Sequence, residues 1–177
     1  MINRSNIINI LDYAFFTMGS LFTIYIAITI FHLFQDPSQF YTFFTFCVFI
    51  LISILTMKKI LNRHRNGLLF WFMFIFYFII CIAAISSSFY LYINAIRLCT
   101  IQPFITQTDI TIGWIILISM LILTWYHWGT LLTTIITICI LYFFWGHLLP
   151  WQTLAHSGFS VDFAMSYMGM NTTGGIF

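Results

Sequence analysis

Glutamate is absent from this chain, and charge of either sign is scarce: six Lys and Arg against four Asp, 6% of 177 residues. A soluble domain carries about 25% charged residues. With 62% of its residues apolar, this chain has too little polar side chain to cover a surface that faces water. The four acids, Asp12, Asp36, Asp109 and Asp162, are widely scattered. No carboxylate pair, Ser-His-Asp set or P-loop can be assembled, so the chain is not expected to be an enzyme. Nothing in it suggests nucleic-acid binding. The four cysteines, Cys47, Cys81, Cys99 and Cys139, form no CxxC pair. Neither a zinc site nor a redox motif is supported, and buried, unreactive thiols are expected.

What the chain has in abundance is long apolar runs, and its mean hydropathy is +1.01. A spanning helix needs about 20 mostly apolar residues, with a range of roughly 17 to 25. Segments 13–34, 40–57 and 68–92 qualify, the first closed by Asp36-Pro37-Ser38 and the second by Lys58-Lys59. From 110 to 146 no charged residue occurs, which is too long for one crossing. The run divides near His127-Trp128-Gly129, where Trp, Tyr and His gather as they do at membrane interfaces. The expected fold is therefore all-α: a polytopic membrane bundle of five transmembrane helices at 13–34, 40–57, 68–92, 110–126 and 129–146. Four spans are the alternative, because 110–126 is near the minimum length. Residues 147–177 form a tail with a short interfacial helix. A signal peptide is not expected, since the run from Tyr13 is too long for one and no small-x-small site follows it.

Five of the six cations, Arg4, Lys58, Lys59, Arg63 and Arg65, fall before the first span or in one short loop. The positive-inside rule then puts the amino terminus in the cytoplasm and the tail outside. Arg97 falls on the outer side, in the loop 94–107. No Asp, Glu, Lys or Arg lies in the middle of a span, where pumps and proton-coupled carriers keep ionisable groups. No half-helix broken by Gly or Pro appears at that depth either. By itself the chain is not expected to move a solute.

Packing signals are present instead. Gly19, Thr23 and Ala27 stand four apart, a small-residue stripe that lets another helix approach closely. Thr130, Thr133, Thr134 and Thr137 make a hydroxyl face on the last span, able to bond a neighbour or their own i−4 carbonyls. Among the histidines, His32 and His127 lie near span ends, His64 in the basic loop, His147 after the last span and His156 in the tail. Two imidazoles on facing helices would hold a haem, so a haem-binding anchor of a respiratory enzyme is one alternative, and a non-transport structural membrane protein another. On the five-span topology His127 stands alone at the inner face.

The tail carries the most specific pattern. It runs Gly146-His147-Leu148-Leu149-Pro150, then His156-Ser157-Gly158-Phe159-Ser160, then a short helix from Val161 to about Met168, and ends Asn171-Thr172-Thr173-Gly174-Gly175-Ile176-Phe177. Ser160 is suited to cap that helix with Asp162 in its first turn. Val161, Ala164, Met165 and Met168 give it an apolar side for lying in the interface, and Gly169, Gly174 and Gly175 allow a sharp turn after it. This resembles the junction of fused permeases in the tripartite ATP-independent periplasmic (TRAP) transporter family, TAXI subclass, where G-x-x-LP-G-x-x-x-H-x-G-[FY]-S is followed by a helix and T-E-G-I-F-G. Asp109-Ile110-Thr111-Ile112-Gly113 resembles the D-I-x-x-G that opens the family's fourth span. The likeness covers about 108–177, and residues 1–107 match in hydropathy and segment length only. Trp151 stands in place of Gly, Gly174 in place of Glu, and Trp125-Tyr126-His127-Trp128 in place of an Arg-rich helix end.

The resemblance implies a scaffold or small membrane component of a sodium-coupled, binding-protein-dependent importer of organic acids in a bacterial or archaeal cytoplasmic (inner) membrane. Its partners would be a large TRAP permease domain or subunit, a periplasmic solute-binding protein and membrane lipid. The Na+ and solute sites would lie in the large domain, with no cofactor in this chain. Junction positions Gly146, His147, Leu149, Pro150, His156, Gly158 and Gly175 would shape the tail or touch those partners. Loop 94–107 would help dock the binding protein. Because the sequence stops inside the junction pattern, it is read as a separate small subunit or, preferentially, as the front part of a longer fused protein.

Overall fold

A computed structural model describes residues 4–31, 36–63, 67–148, 150 and 158–170, without the side chains of residues 30, 31 and 63. These residues are helical throughout their ordered elements: α1 Arg4–Phe31, α2 Pro37–Arg63, α3 Leu68–Ile93, α4 Ala95–Ile101, α5 Gln107–Trp128, α6 Thr130–Trp145 and α7 Val161–Met168, with a 3₁₀ turn at Gly146–Leu148. Five of them, α1, α2, α3, α5 and α6 with its 3₁₀ extension, are long and apolar enough to cross a membrane. The chain is a multi-pass helical membrane protein.

The helices overrun the apolar segments because hydropathy marks the bilayer, not the helix. At 1.5 Å per residue, the 28 residues of α1 reach about 42 Å, beyond a hydrocarbon core of about 30 Å. α2 likewise runs on through Lys58 and Lys59 to Arg63. The expected turn at Asp36-Pro37-Ser38 proves to be the start of α2. Asp36 accepts from the Ser38 N–H and hydroxyl at 3.0 and 2.7 Å, and Pro37 takes the first helical position, where its missing N–H costs nothing. Those two bonds hold the Asp36 carboxyl below the usual carboxylate range.

The division of 110–146 falls at Gly129, whose φ of +84° suits glycine. Its N–H closes α5 on the Trp125 carbonyl at 3.1 Å, and its own carbonyl accepts from the Thr133 hydroxyl at 2.9 Å. One residue thus joins two antiparallel spans. The loop 94–107 departs from expectation, since seven of its residues form α4. Ala95 and Leu98 bury at 1% exposure each; two apolar positions one turn apart are too short a period to read in sequence.

α2, α3 and α5 form the centre. The α1 backbone packs on α2 alone, and α6 packs on α5; α4 lies against α2, and α7 against α5 and α6. One apolar cluster joins Phe49, Cys81, Leu91, Leu98, Ile116 and Met170, and a second joins Ile110, Leu117, Ile140, Phe144, Ala164 and Met165. Residues of the tail therefore sit in both. Of the cysteines expected to be buried, Cys47 and Cys81 are, but Cys99 and Cys139 are exposed, because the outward faces of α4 and α6 have no neighbour among the described residues.

Because consecutive spans alternate in direction, the chain has two distinct ends. Among the described residues, Arg4, Lys58, Lys59 and Arg63 share the basic end with one acid, Asp12. Arg97 shares the tail end with Asp36, Asp109 and Asp162.

Candidate functional site

The tail end is organised by a buried carboxylate. Thr106 and Asp109 form a capping box on α5. The Thr106 N–H and hydroxyl donate to Asp109 Oδ2 at 3.0 and 2.7 Å, while the Asp109 N–H reaches back to Thr106 Oγ1 at 3.4 Å. Tyr90 of α3, Asn94 between the two helices and Arg97 of α4 complete the cluster. Arg97 donates through Nη2 to Asp109 Oδ1 at 2.6 Å and through Nη1 to Oδ2 at 3.2 Å. The Tyr90 hydroxyl donates to Asp109 Oδ1 at 2.8 Å and accepts from Arg97 Nη2 at 3.0 Å. Arg97 Nε donates to Asn94 Oδ1 at 3.0 Å, and Asn94 Nδ2 donates to the Tyr90 carbonyl at 3.0 Å. Asp109 is 0% exposed and the Arg97 side chain 38%, while Tyr90 and Asn94 are half-buried and Thr106 is exposed, so the carboxylate lies beneath its own donors.

Chemically this cluster is closed. Two carboxylate oxygens receive five donors, which uses the lone pairs a cation or a proton would need. A fork-on-fork Arg–carboxylate pair is strong and geometrically strict. Its effect is mechanical: it locks α3, α4 and the start of α5 to one another.

The tail docks beside it. Ser160 Oγ accepts the Phe163 N–H at 3.2 Å, so the expected cap and helix are present. Only part of the apolar side of α7 faces protein: Ala164 and Met165 are 0% exposed, Met168 is half-buried and Val161 is 52% exposed. The approach is close enough to need glycine. A Cβ on Gly169 would stand 2.8 Å from Gly113 Cα and 3.0 Å from Gly113 O. Gln102 Nε2 ties the end of α4 to the Ser166 carbonyl at 2.6 Å, and Phe159 stacks on Phe143 at 5.6 Å between centroids.

Of the junction positions, Gly146 is buried in the 3₁₀ turn, while His147, Pro150 and Gly158 are exposed. His147 and Gly158 meet, since a Cβ on Gly158 would lie 3.2 Å from the imidazole. Leu149, His156 and Gly175 lie outside the described residues, as do Trp151 and Gly174. The stripe Gly19, Thr23, Ala27 faces away from the rest of the bundle: nothing lies within 4 Å of a Cβ on Gly19, and Thr23 and Ala27 are exposed. Thr23 bonds the Gly19 carbonyl at 2.9 Å, and Thr133 and Thr137 likewise bond their own helix.

At the basic end, His127 Nε2 lies 2.8 Å from Thr56 Oγ1. The Thr56 hydroxyl donates to the Ile52 carbonyl at 2.7 Å, so the imidazole must be the donor to Thr56. Lys59 Nζ donates to the Tyr126 carbonyl at 2.8 Å and stands 4.7 Å over the Tyr126 ring. Lys58 pairs with Asp12. His127 and His147 are thus at opposite ends; His32, His64 and His156 lie outside the described residues. Among the described residues no three metal-ligating side chains gather.

Sequence reasoning missed the Arg97–Asp109 pair. The signal was present as Thr106-x-x-Asp109 ahead of an apolar run, the mark of a capping box. The arginine twelve residues earlier had no such local mark. No protein-family profile matches the chain, and neither a curated protein nor a solved structure is significantly similar to it.

Proposed function

We propose that this chain is the static membrane scaffold of a TRAP-type importer, holding a large transport domain in place while carrying no solute or sodium site. The observation that carries the reading is the docked tail. Gly113, in the segment resembling D-I-x-x-G, receives Gly169 at backbone contact, and His147 meets Gly158 eleven residues on. A tail built into both apolar clusters is a rigid continuation of the bundle, as a junction to a further membrane domain requires. The saturated Asp109 cluster fits the same role, because it leaves no oxygen cage for sodium. The outward stripe on α1 supplies a face for close helix contact with the large domain. The charge excess at the basic end favours an amino terminus in the cytoplasm.

Two measurements test this. Reconstituted alone in liposomes with a binding protein, the chain should show no sodium-driven uptake of organic acids, and uptake should appear on adding the large domain. Sodium-driven uptake by the chain alone would sink the scaffold reading. In a background without native cysteines, a thiol-reactive label added from the periplasm should modify Asp162→Cys and spare Asn62→Cys. The reverse pattern would invert the topology.

A further inference from the structure

We propose that a cleft between α2 and α5 at the basic end binds the headgroup of an anionic membrane phospholipid. The cleft is a shallow, open groove of about 420 Å³ lined by Leu55, Lys58, Lys59, Asn62 and His127. The first four stand at i, i+3, i+4 and i+7 of α2, so they share one stripe. Along that stripe the lining passes from apolar at Leu55 to cationic and amide as the helix leaves the membrane. That gradient matches an amphiphile, with acyl chain below and phosphate above; a free phosphate has no use for the apolar wall.

The cations are positioned before any ligand arrives. Lys59 spends one of its three donors on the Tyr126 carbonyl and rests over the Tyr126 ring, which fixes its ammonium at the rim of the cleft. Among the described residues of this end, Asp12 is the one acid and is already engaged with Lys58, so no second described carboxylate competes for Lys59. Trp125 and Trp128, each 59% exposed, flank the last turn of α5 with the ring type that settles at headgroup level. The inference stands apart from the transporter reading, since it needs only the cleft, its charge and its depth.

The test uses the full chain in nanodiscs of phosphatidylcholine doped with phosphatidylglycerol, with retained lipid counted by native mass spectrometry. One phosphatidylglycerol should be held in preference to phosphatidylcholine. Lys59→Gln should weaken that retention about fivefold, the effect of one basic charge near a headgroup. Asn62→Asp, at an exposed side chain, should weaken it similarly while thermal unfolding stays unchanged, which separates lost binding from lost fold. Arg4→Gln removes equal charge outside the cleft and should change retention less than twofold. Equal loss in Arg4→Gln, absence of a preference for phosphatidylglycerol, or displacement by millimolar inorganic phosphate would each overturn the proposal.

Discussion

At the tail end one arginine and three aspartates are distributed so that the central pair, Arg97 and Asp109, closes on itself and on Tyr90, Asn94 and Thr106. At the basic end the described cations Arg4, Lys58 and Lys59 share a single described carboxylate, and that carboxylate, Asp12, is 47% exposed in its side chain. The difference is one of use. A charge at 0% exposure must be fully compensated within the fold, because an unpaired buried ion costs several kcal/mol. A charge at the water boundary needs no partner, and stays available for orientation in the membrane, for lipid or for another subunit. The same amino-acid class thus builds rigidity at one end and a reactive surface at the other.

Mutation at the two ends should separate these uses, with the largest effect at the closed end. Arg97→Leu should lower stability in detergent by about 3–5 kcal/mol, since it strands a buried carboxylate. Arg97→Leu with Asp109→Leu should recover much of that loss, as measured by the unfolding midpoint. Equal destabilisation by the single and double variants would mean the pair acts by packing alone.

Gly169→Ala should come next, at about 1–3 kcal/mol for overpacking against a backbone that cannot yield. Hydrogen exchange across α7 should rise with it. Gly113→Ala should cost less, because the nearest obstruction to its Cβ is the flexible Met165 thioether at 2.8 Å. A reversed order would place the tight contact on the wrong side.

At the basic end, Thr56→Val removes the partner of His127 and should cost about 1 kcal/mol, read from the same midpoint. Asp12→Asn should be the smallest change, under about 1 kcal/mol, because that pair is partly exposed and screened. It should also fade at high salt. A loss as large as that of Arg97→Leu would erase the distinction between the two ends.

The junction positions give a smaller lesson about reading motifs. Gly113 and Gly169 were legible as glycines, yet their reasons differ: Gly169 makes room for the Gly113 backbone, and Gly113 for the Met165 side chain. The small stripe on α1 was legible as a contact face, but among the described residues it meets no other helix. Spacing shows that a close approach is allowed and cannot say whether the partner is in the same chain. Exposed Cys99 and Cys139 make the same point, since apolar surroundings in sequence do not specify which side of a helix faces lipid.

What the sequence determined by itself is the number of long helices, their division at Gly129 and the sorting of charge between two ends. Those follow from local quantities: the apolar length needed to satisfy backbone groups in lipid, the φ that glycine allows, and the scarcity of charge. The existence of α4, the docking of α7 and the closure of Arg97 on Asp109 were decided only in three dimensions. Each depends on a partner far along the chain: Leu98 on α2, Met165 on Gly113, and a guanidinium on a carboxylate twelve residues later. Local pattern carries the cost of placing a group in the membrane, whereas the compensation of that cost is a property of the neighbours that folding brings.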